Sequence, residues 1–500
     1  MKKYILFAVL TVIAHRAYTQ KEDYQWLVGG AGNSIDTLYS SAIMDFNNDS
    51  LSVHVKLDNS RFVRSNSSIC DSTGKLWCWT NGKQIYNAQD ELIEGGEDLT
   101  PGSFMAGVSA SQAMLLLPLP GSPSKIVMVS GNLIHYLFEG FYTSGCSPLY
   151  YSLIDMNENS GLGKVVEIKT PLETDTLMFG GYTAVRHANG RDWWVTVYHR
   201  DENKYYQFLL DPKGIQFHHV QFINKSPYGA AQSVYSPDGK WYVNYTWPGT
   251  IPIDDYSTFD LYKFNRCTGI FSNYLNRSYG HPGAPGGAAF SADSRFLYVS
   301  FWNKIYQYDL HASNIIGSET LVAEYDGFVD ERGYPTRFYQ MQLAPDNKIY
   351  ISVSNYNSRY MHVIEKPAEQ GLACNVQQRG VSLPAYNNWV VPNVPFYRLN
   401  AEVGSPCDSL AASVFEPNSP AIRLQPNPTS GQISAIFPET MREDGQITLF
   451  DATGRKVSTV NFTGESRVEL DLSALPDGLY SVRVQVGREG LMRKIVVAKN

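Results

Sequence analysis

The sequence predicts an all-β protein, a β-propeller followed by a small immunoglobulin-like β-sandwich, and three observations predict it. Aromatic residues are abundant, with 33 Tyr, 23 Phe and 9 Trp in 500 residues, and such side chains favour pleated, half-buried surfaces. Helical periodicity is almost absent, while short apolar-aromatic runs bounded by turn residues are frequent. One strand–turn–strand unit also recurs through the middle of the chain.

That unit is clearest in "AAQSVYSPDGKWYVNY" (230–245), "GAAFSADSRFLYVSFW" (287–302) and "QMQLAPDNKIYISVSN" (340–355). The turn aspartates are Asp238, Asp293 and Asp346, each followed by Gly239, Ser294 or Asn347 and then by a basic residue. An Asp here closes the turn by accepting from its own backbone, and Gly or Asn tolerates the left-handed conformation. The role is structural. Each unit continues into a further strand: "DLYKFNRCTGIFSNY", "NKIYQYDL" and "SRYMHVIEK". Looser copies lie at 67–87, 124–168 and 182–215. Four short strands every 40–55 residues is the pattern of a propeller, whose radial repetition leaves only short, protected edges. Six units can be marked, and residues 24–405 leave room for a seventh closed by strands from both ends.

Composition narrows the function classes. The chain is 43% hydrophobic and 18% charged with a net charge of −7, which places it among folded globular proteins. That balance argues against a general nucleic-acid binder, which needs a basic footprint. The charge is uneven: residues 20–420 carry 28 basic and 39 acidic side chains, and residues 421–500 carry 10 and 9. Lys2 and Lys3 before the apolar run Tyr4 to Ala14, with Ala17 and Thr19 at the −3 and −1 places, read as a secretory signal peptide over 1–19. No later apolar run is long enough for a transmembrane helix.

The cysteines are Cys70, Cys78, Cys146, Cys267, Cys374 and Cys407, and their connectivity is open. Cys70 and Cys78 flank one turn and are the candidate local disulfide, with free buried thiols as the alternative. No Cys pair has zinc-type spacing, so neither a metal nor a cofactor is expected. The stretch "DMNENSGLG" (155–163) has Asp155, Asn157 and Asn159 at alternate positions, but Ser160 and Val166 stand where a calcium loop needs Gly and Glu; it reads as a polar hairpin turn. His218 and His219 are neighbours on one strand, so they are expected on opposite faces.

After Cys407 the chain loses periodicity over 411–422, which reads as a linker. Order resumes in "GQITLFDATGRKVSTVNF" and "RVELDLSALPDGLYSVRVQV", short strands with frequent turns that suggest a small sandwich. The divisions expected are a signal peptide 1–19, a propeller 20–410, a linker 411–422 and a C-terminal domain 423–500.

Three resemblances follow. The Asp-turn units resemble tandem propeller-repeat proteins with Ser-Pro-Asp-Gly turns. The segments 371–410 and "YYSLIDMNENSGLGKV" are similar to large secreted propeller proteins of surface-colonising Bacteroidetes, a group with no settled activity to carry over. The tail, through "PNPTSGQ" (426–432), "LFDATGRKV" (449–457), "LDLSALPDGLYSVRV" (470–484) and "KIVVAKN" (494–500), resembles the type A C-terminal sorting domain of the type IX secretion system. The positions that carry this likeness include Pro426, Asn427, Pro428, Gly454, Gly478, Arg493 and Lys494. It implies export through the type IX machinery, removal of the domain, and a secreted or cell-surface, outer-membrane-associated product. A sheet edge near Arg483, Arg488, Arg493 and Lys494 is a surface that another protein could read by strand addition.

No nucleophile elbow, phosphate loop or zinc-peptidase motif is present, so no catalytic residue is assigned. In propellers the loops leading into the inner strands and those joining second to third strands share one face. Here they carry Tyr228, Trp247, Asp254, Asp255, Tyr256, His281 and Arg337, a mixture that suits a ligand site at the channel mouth. The expected function is binding of an extracellular glycan, matrix component or protein. The alternatives are a polysaccharide lyase or hydrolase at the same place, and a structural adhesion component. An enzyme should show converging carboxylates or His with shifted pKa values, and a binding module an aromatic platform without them.

Overall fold

A computed structural model describes residues 20–30, 36–48, 50–57, 61–103, 107–138, 141–223, 230–247, 256–280, 284–355, 357–389, 391–408, 423–426, 429–437, 444–451, 456–486 and 489–499. The signal-peptide region lies outside them. The chain divides into two compact units, Met1–Ser409 and Leu410–Asn500.

The first unit is all-β and propeller-like: seven antiparallel sheets follow one another in chain order. The first holds β1 (Gln25–Gly29), β2 (Ser41–Asp45) and β3 (Ser52–Lys56), and the second β4 (Ser67–Cys70), β5 (Leu76–Thr80) and β6 (Ile85–Asn87). The third holds β7 (Leu115–Pro118), β8 (Lys125–Phe138), β9 (Phe141–Asp155) and β10 (Lys164–Glu173). The fourth holds β11 (Thr183–Arg186), β12 (Trp193–Tyr198), β13 (Lys204–Asp211) and β14 (Gly214–Phe222), and the fifth β15 (Ala230–Tyr235), β16 (Trp241–Trp247), β17 (Thr258–Asn265) and β18 (Ile270–Ser278). The sixth holds β19 (Gly286–Phe290), β20 (Phe296–Phe301), β21 (Lys304–Asp309) and β22 (Thr320–Glu324), and the seventh β23 (Phe338–Leu343), β24 (Ile349–Val353), β25 (Ser358–Ile364) and β26 (Val376–Asn387).

The turn aspartates act on their own loops. Asp238 Oδ1 accepts from Ser236 Oγ at 2.5 Å and from the Lys240 amide at 3.0 Å, and Asp293 does the same with Ser291 and Arg295. Gly239, Ser294 and Asn347 stand at φ 71°, 60° and 64°, the left-handed geometry that such turns require.

Inner strands of neighbouring sheets pack side by side: β1 on β4, β4 on β7, β11 on β15, β15 on β19 and β19 on β23. Buried amides tie them together. Gln232 on β15 donates to the Met341 carbonyl at 2.6 Å and accepts from the Ala288 and Met341 amides.

The end of β26 and the described residues after it, 388–389 and 391–398, bond segments of several sheets. Gly30 bridges Asn387, whose Oδ1 accepts from the Gly29 amide at 3.0 Å. Asn388 Nδ2 then donates to the Phe62 carbonyl. Asn393 is buried at a polar centre. Its backbone bonds Asn66 and Ser67, its Nδ2 donates to the Met114 and Tyr182 carbonyls at 2.7 and 2.9 Å, and its Oδ1 accepts from Gln112 Nε2. Gln112 also pairs with the Ser233 backbone in both directions. Val394 and Tyr397 enter the core with Trp26 and Val28. Arg398 finishes the passage on buried Asp23, with 2.6 Å to both carboxylate oxygens.

Two sequence expectations are corrected here. Cys70 and Cys78 are both free and buried, and the disulfide is Cys267–Cys407. A register shift sets Cys78 across from Ile69 and Cys70 across from Leu76, so the two thiols occupy different rungs. His218 and His219 are not on opposite faces. A bulge between the pairs Gln207–His219 and Phe208–Phe217 turns both rings against Trp194, and their Nδ1 atoms come within 2.8 Å. The 155–163 stretch is a turn, with the Asn157 amide on Asp155 Oδ1 and a short 3₁₀ segment over Asn159–Gly161.

The second unit has two sheets. One holds β27 (Arg423–Gln425), β28 (Gln432–Ile436) and β31 (Arg467–Asp471); the other holds β29 (Asp444–Phe450), β30 (Lys456–Thr463), β32 (Gly478–Val486) and β33 (Glu489–Val497). Both feed one core, in which Ile433 and Leu470 meet Ile447, Val482 and Ile495. Of the tail positions singled out above, Asn427, Pro428, Gly454 and Arg488 lie outside the described residues, and the strand β33 carries Arg493 and Lys494.

Candidate functional site

One end of the seven-sheet unit collects the loops that lead into the inner strands. Three of the expected site residues are described there. Arg337 immediately precedes β23, and its guanidinium lies over the Trp302 ring at 5.0 Å and near Tyr325 at 5.9 Å. Trp247 is the last residue of β16, half-buried and packed in the cluster of Tyr245, Phe259 and Tyr279, so it closes a strand instead of standing in a loop. Tyr256 is 45% exposed. Tyr228, Asp254, Asp255 and His281 lie outside the described residues.

Rings lie near both Trp247 and Arg337. Tyr279 shares the Trp247 cluster and stacks on Phe301 at 4.5 Å, and Phe301 is followed by Trp302 beneath Arg337. The same end carries residues that sequence reasoning missed. Arg332 lies over Tyr386 at 5.1 Å and Tyr334 at 5.7 Å, and Tyr386 meets Tyr39 at 5.5 Å. Arg64 lies over Trp389 at 4.1 Å, and Trp389 meets Tyr339. Arg379 covers Phe328 at 4.3 Å while holding Asp326 through two bonds. The pairs join residues from remote parts of the chain, and their only sequence signal is the run "DGFVDERGYPTR" (326–337), rich in both residue types.

The titratable clusters point elsewhere. Asp175 is engaged by Tyr206, by Lys204 Nζ at 3.1 Å and by His199 Nε2 at 3.1 Å. Burial pushes its carboxyl up, but the bonds from Tyr206 and Lys204 win and hold it well below the usual carboxylate range. His199 Nδ1 accepts from the Asp201 and Glu202 amides, so both ring nitrogens are committed and neither is free to take a substrate proton. The second cluster surrounds the Arg398–Asp23 pair. Burial pushes Glu22 up to about 7 and raises Asp23, and burial brings Arg186 down to about 10. Among the described residues no group of three or more His, Cys, Asp or Glu is placed to hold a metal ion, and no helix is long and apolar enough to cross a membrane.

Comparison with solved structures finds distant likenesses. A Lactobacillus plantarum protein shares 12% identity at a TM-score of 0.39, covering 73% of this chain and 99% of its own. A quinonprotein alcohol dehydrogenase-like protein from Bacteroides thetaiotaomicron shares 11% at 0.35, covering 74% and 76%. A Mycobacterium tuberculosis puromycin-hydrolyzing peptidase shares 9% at 0.35, covering 84% and 59%. These are too remote to bear on activity. No curated protein matches the chain. The tail is different: residues 423–498 match the family described as the secretion system C-terminal sorting domain. The two-sheet unit at the end of this chain is therefore a sorting domain of the type IX secretion system.

Proposed function

We propose that the mature protein is a closed seven-bladed propeller, displayed at the cell surface or released, that binds an extracellular partner at its Arg–aromatic face. Ring closure is read from the stretch 388–398, which bonds sheets at both ends of the series. The sorting domain, read as an immunoglobulin-like sandwich, engages the type IX machinery and is removed after export. The expected residues Trp247, Tyr256 and Arg337 belong to the same proposal.

One observation carries the choice of binding over catalysis. The face offers stacked rings and guanidinium groups, while two of its described carboxylates are already used. Asp326 is held by Arg379, and Asp330 accepts from the Arg332 and Tyr334 amides. A lyase or hydrolase needs acid and base groups aimed at one bond. The test is an array of glycans and matrix proteins probed with the purified protein, followed by titration of each hit. Tyr334→Ala should weaken a genuine hit roughly tenfold or more, as aromatic anchors do. Hits indifferent to Tyr334→Ala and Arg337→Gln alike would place the site elsewhere.

A further inference from the structure

The arginines of the first unit fall into two sets. Most are committed: Arg191 to Asp192, Arg200 to Asp201, Arg277 to Glu319, Arg295 to Asp309, Arg379 to Asp326 and Arg398 to Asp23. Arg186, Arg266 and Arg359 donate to backbone carbonyls. Arg61, Arg64, Arg332 and Arg337 form no ion pair with a described carboxylate, and all four lie at the end where the loops lead into the inner strands. Their surroundings interlock. Phe62, next to Arg61, donates to the Gly30 carbonyl, and Gly30 bridges Asn387. Tyr386 donates to the Leu38 carbonyl beside Tyr39 and lies under Arg332.

We propose that this face binds an acidic polysaccharide, with the four arginines meeting its carboxylate or sulfate groups and the exposed rings meeting its sugar faces. This rests on the reading of the face as a binding site. A platform for neutral sugars needs bare aromatic faces, yet here Trp302 and Trp389 are covered by Arg337 and Arg64. A guanidinium held over an indole loses little freedom on pairing, which suits a planar carboxylate. Part-exposed rings lie beside them, Tyr334 at 44% and Phe328 at 37%, each with a guanidinium, Arg332 or Arg379, over it. Residues 20–420 are acidic overall, with 28 basic against 39 acidic side chains. A polyanion is thus repelled by the rest of the surface and held only where positive charge is local and unpaired.

The experiment titrates the full-length protein, disulfide intact, with polygalacturonate, its fully methyl-esterified form, a sulfated glycosaminoglycan and duplex DNA, at low and physiological salt. The charged polysaccharides should bind and weaken with added salt, and the ester should not bind. Arg332→Gln and Arg337→Gln should each weaken binding roughly fivefold to tenfold, and together about fiftyfold or more. Arg295→Gln, in a turn at the opposite end, should change nothing. Equal binding of the ester, equal binding of DNA, or wild-type affinity in the double variant would overturn the proposal. A neutral glycan or protein that binds and is lost in Tyr334→Ala would overturn the acidic ligand while keeping the face. Failure of every ligand to respond to substitutions here would overturn the face itself.

Discussion

At the scale of single residues, Asn393 bears the most on stability. It satisfies carbonyls from two sheets and an amide side chain from a third segment, all buried. Asn393→Ala strands those groups in a low-dielectric centre and should cost about 2–4 kcal/mol, read from urea unfolding. Trp247→Ala should cost roughly 2 kcal/mol of stability, because the ring is half-buried at a strand end and packs on Tyr245 and Phe259. Glu22 sets a pH dependence. Its folded carboxyl titrates near 7 against an ordinary 4.5, so the folded state binds the proton more tightly. Stability from this group is therefore highest below pH 4.5 and falls as pH rises through 7, by at most about 3 kcal/mol. Buried Asp23 is shifted in the same direction. Glu22→Gln should flatten the decline in melting temperature between pH 5 and 8; an unchanged slope would exclude Glu22 as its source. Sequence could place Arg337 in a loop because loop positions follow from counting strands, but the same count set Trp247 in a loop when it ends β16. It could not name Arg64, Arg332 or Trp389, because cation–ring pairs between distant segments leave no local pattern.

At the scale of elements, the repeats with Asp turns were legible because their chemistry is local: the aspartate bonds residues two positions away. The disulfide was not, since Cys267 and Cys407 are 140 residues apart and only the passage of 388–408 beneath the fourth and fifth sheets brings them together. That passage was half-legible. Six units could be marked, with room for a seventh closed by strands from both ends; instead every sheet is built from consecutive strands, and Pro392 and Pro395 hide the stretch after β26 from any strand pattern. Ending the chain after Asn387 should therefore abolish cooperative thermal unfolding, whereas a chain of residues 20–408 should keep it. A closed loop of this length stabilises by about 4–5 kcal/mol in the chain-entropy account. Cys267→Ser with Cys407→Ser should accordingly lower the unfolding midpoint, and added reductant should lower the wild type to match.

At the scale of the whole molecule, the prediction concerns export. The surface form should lack residues 1–19 and the sorting domain, and intact-mass analysis of released protein checks it. A mass that keeps the terminal "KIVVAKN" would rule out removal of the tail. The all-β class and the sorting tail were both readable from sequence, the first from aromatic alternation and the second from motifs in a fixed order. The Arg–ring pairs were not, because they join segments far apart in the chain, such as Arg64 with Trp389 and Arg332 with Tyr386.

The position of that closing stretch has a consequence for synthesis. Residues 388–398 are made after every sheet they unite and just before the tail that carries the export address. A polypeptide broken off early would lose its keystone and its address label together.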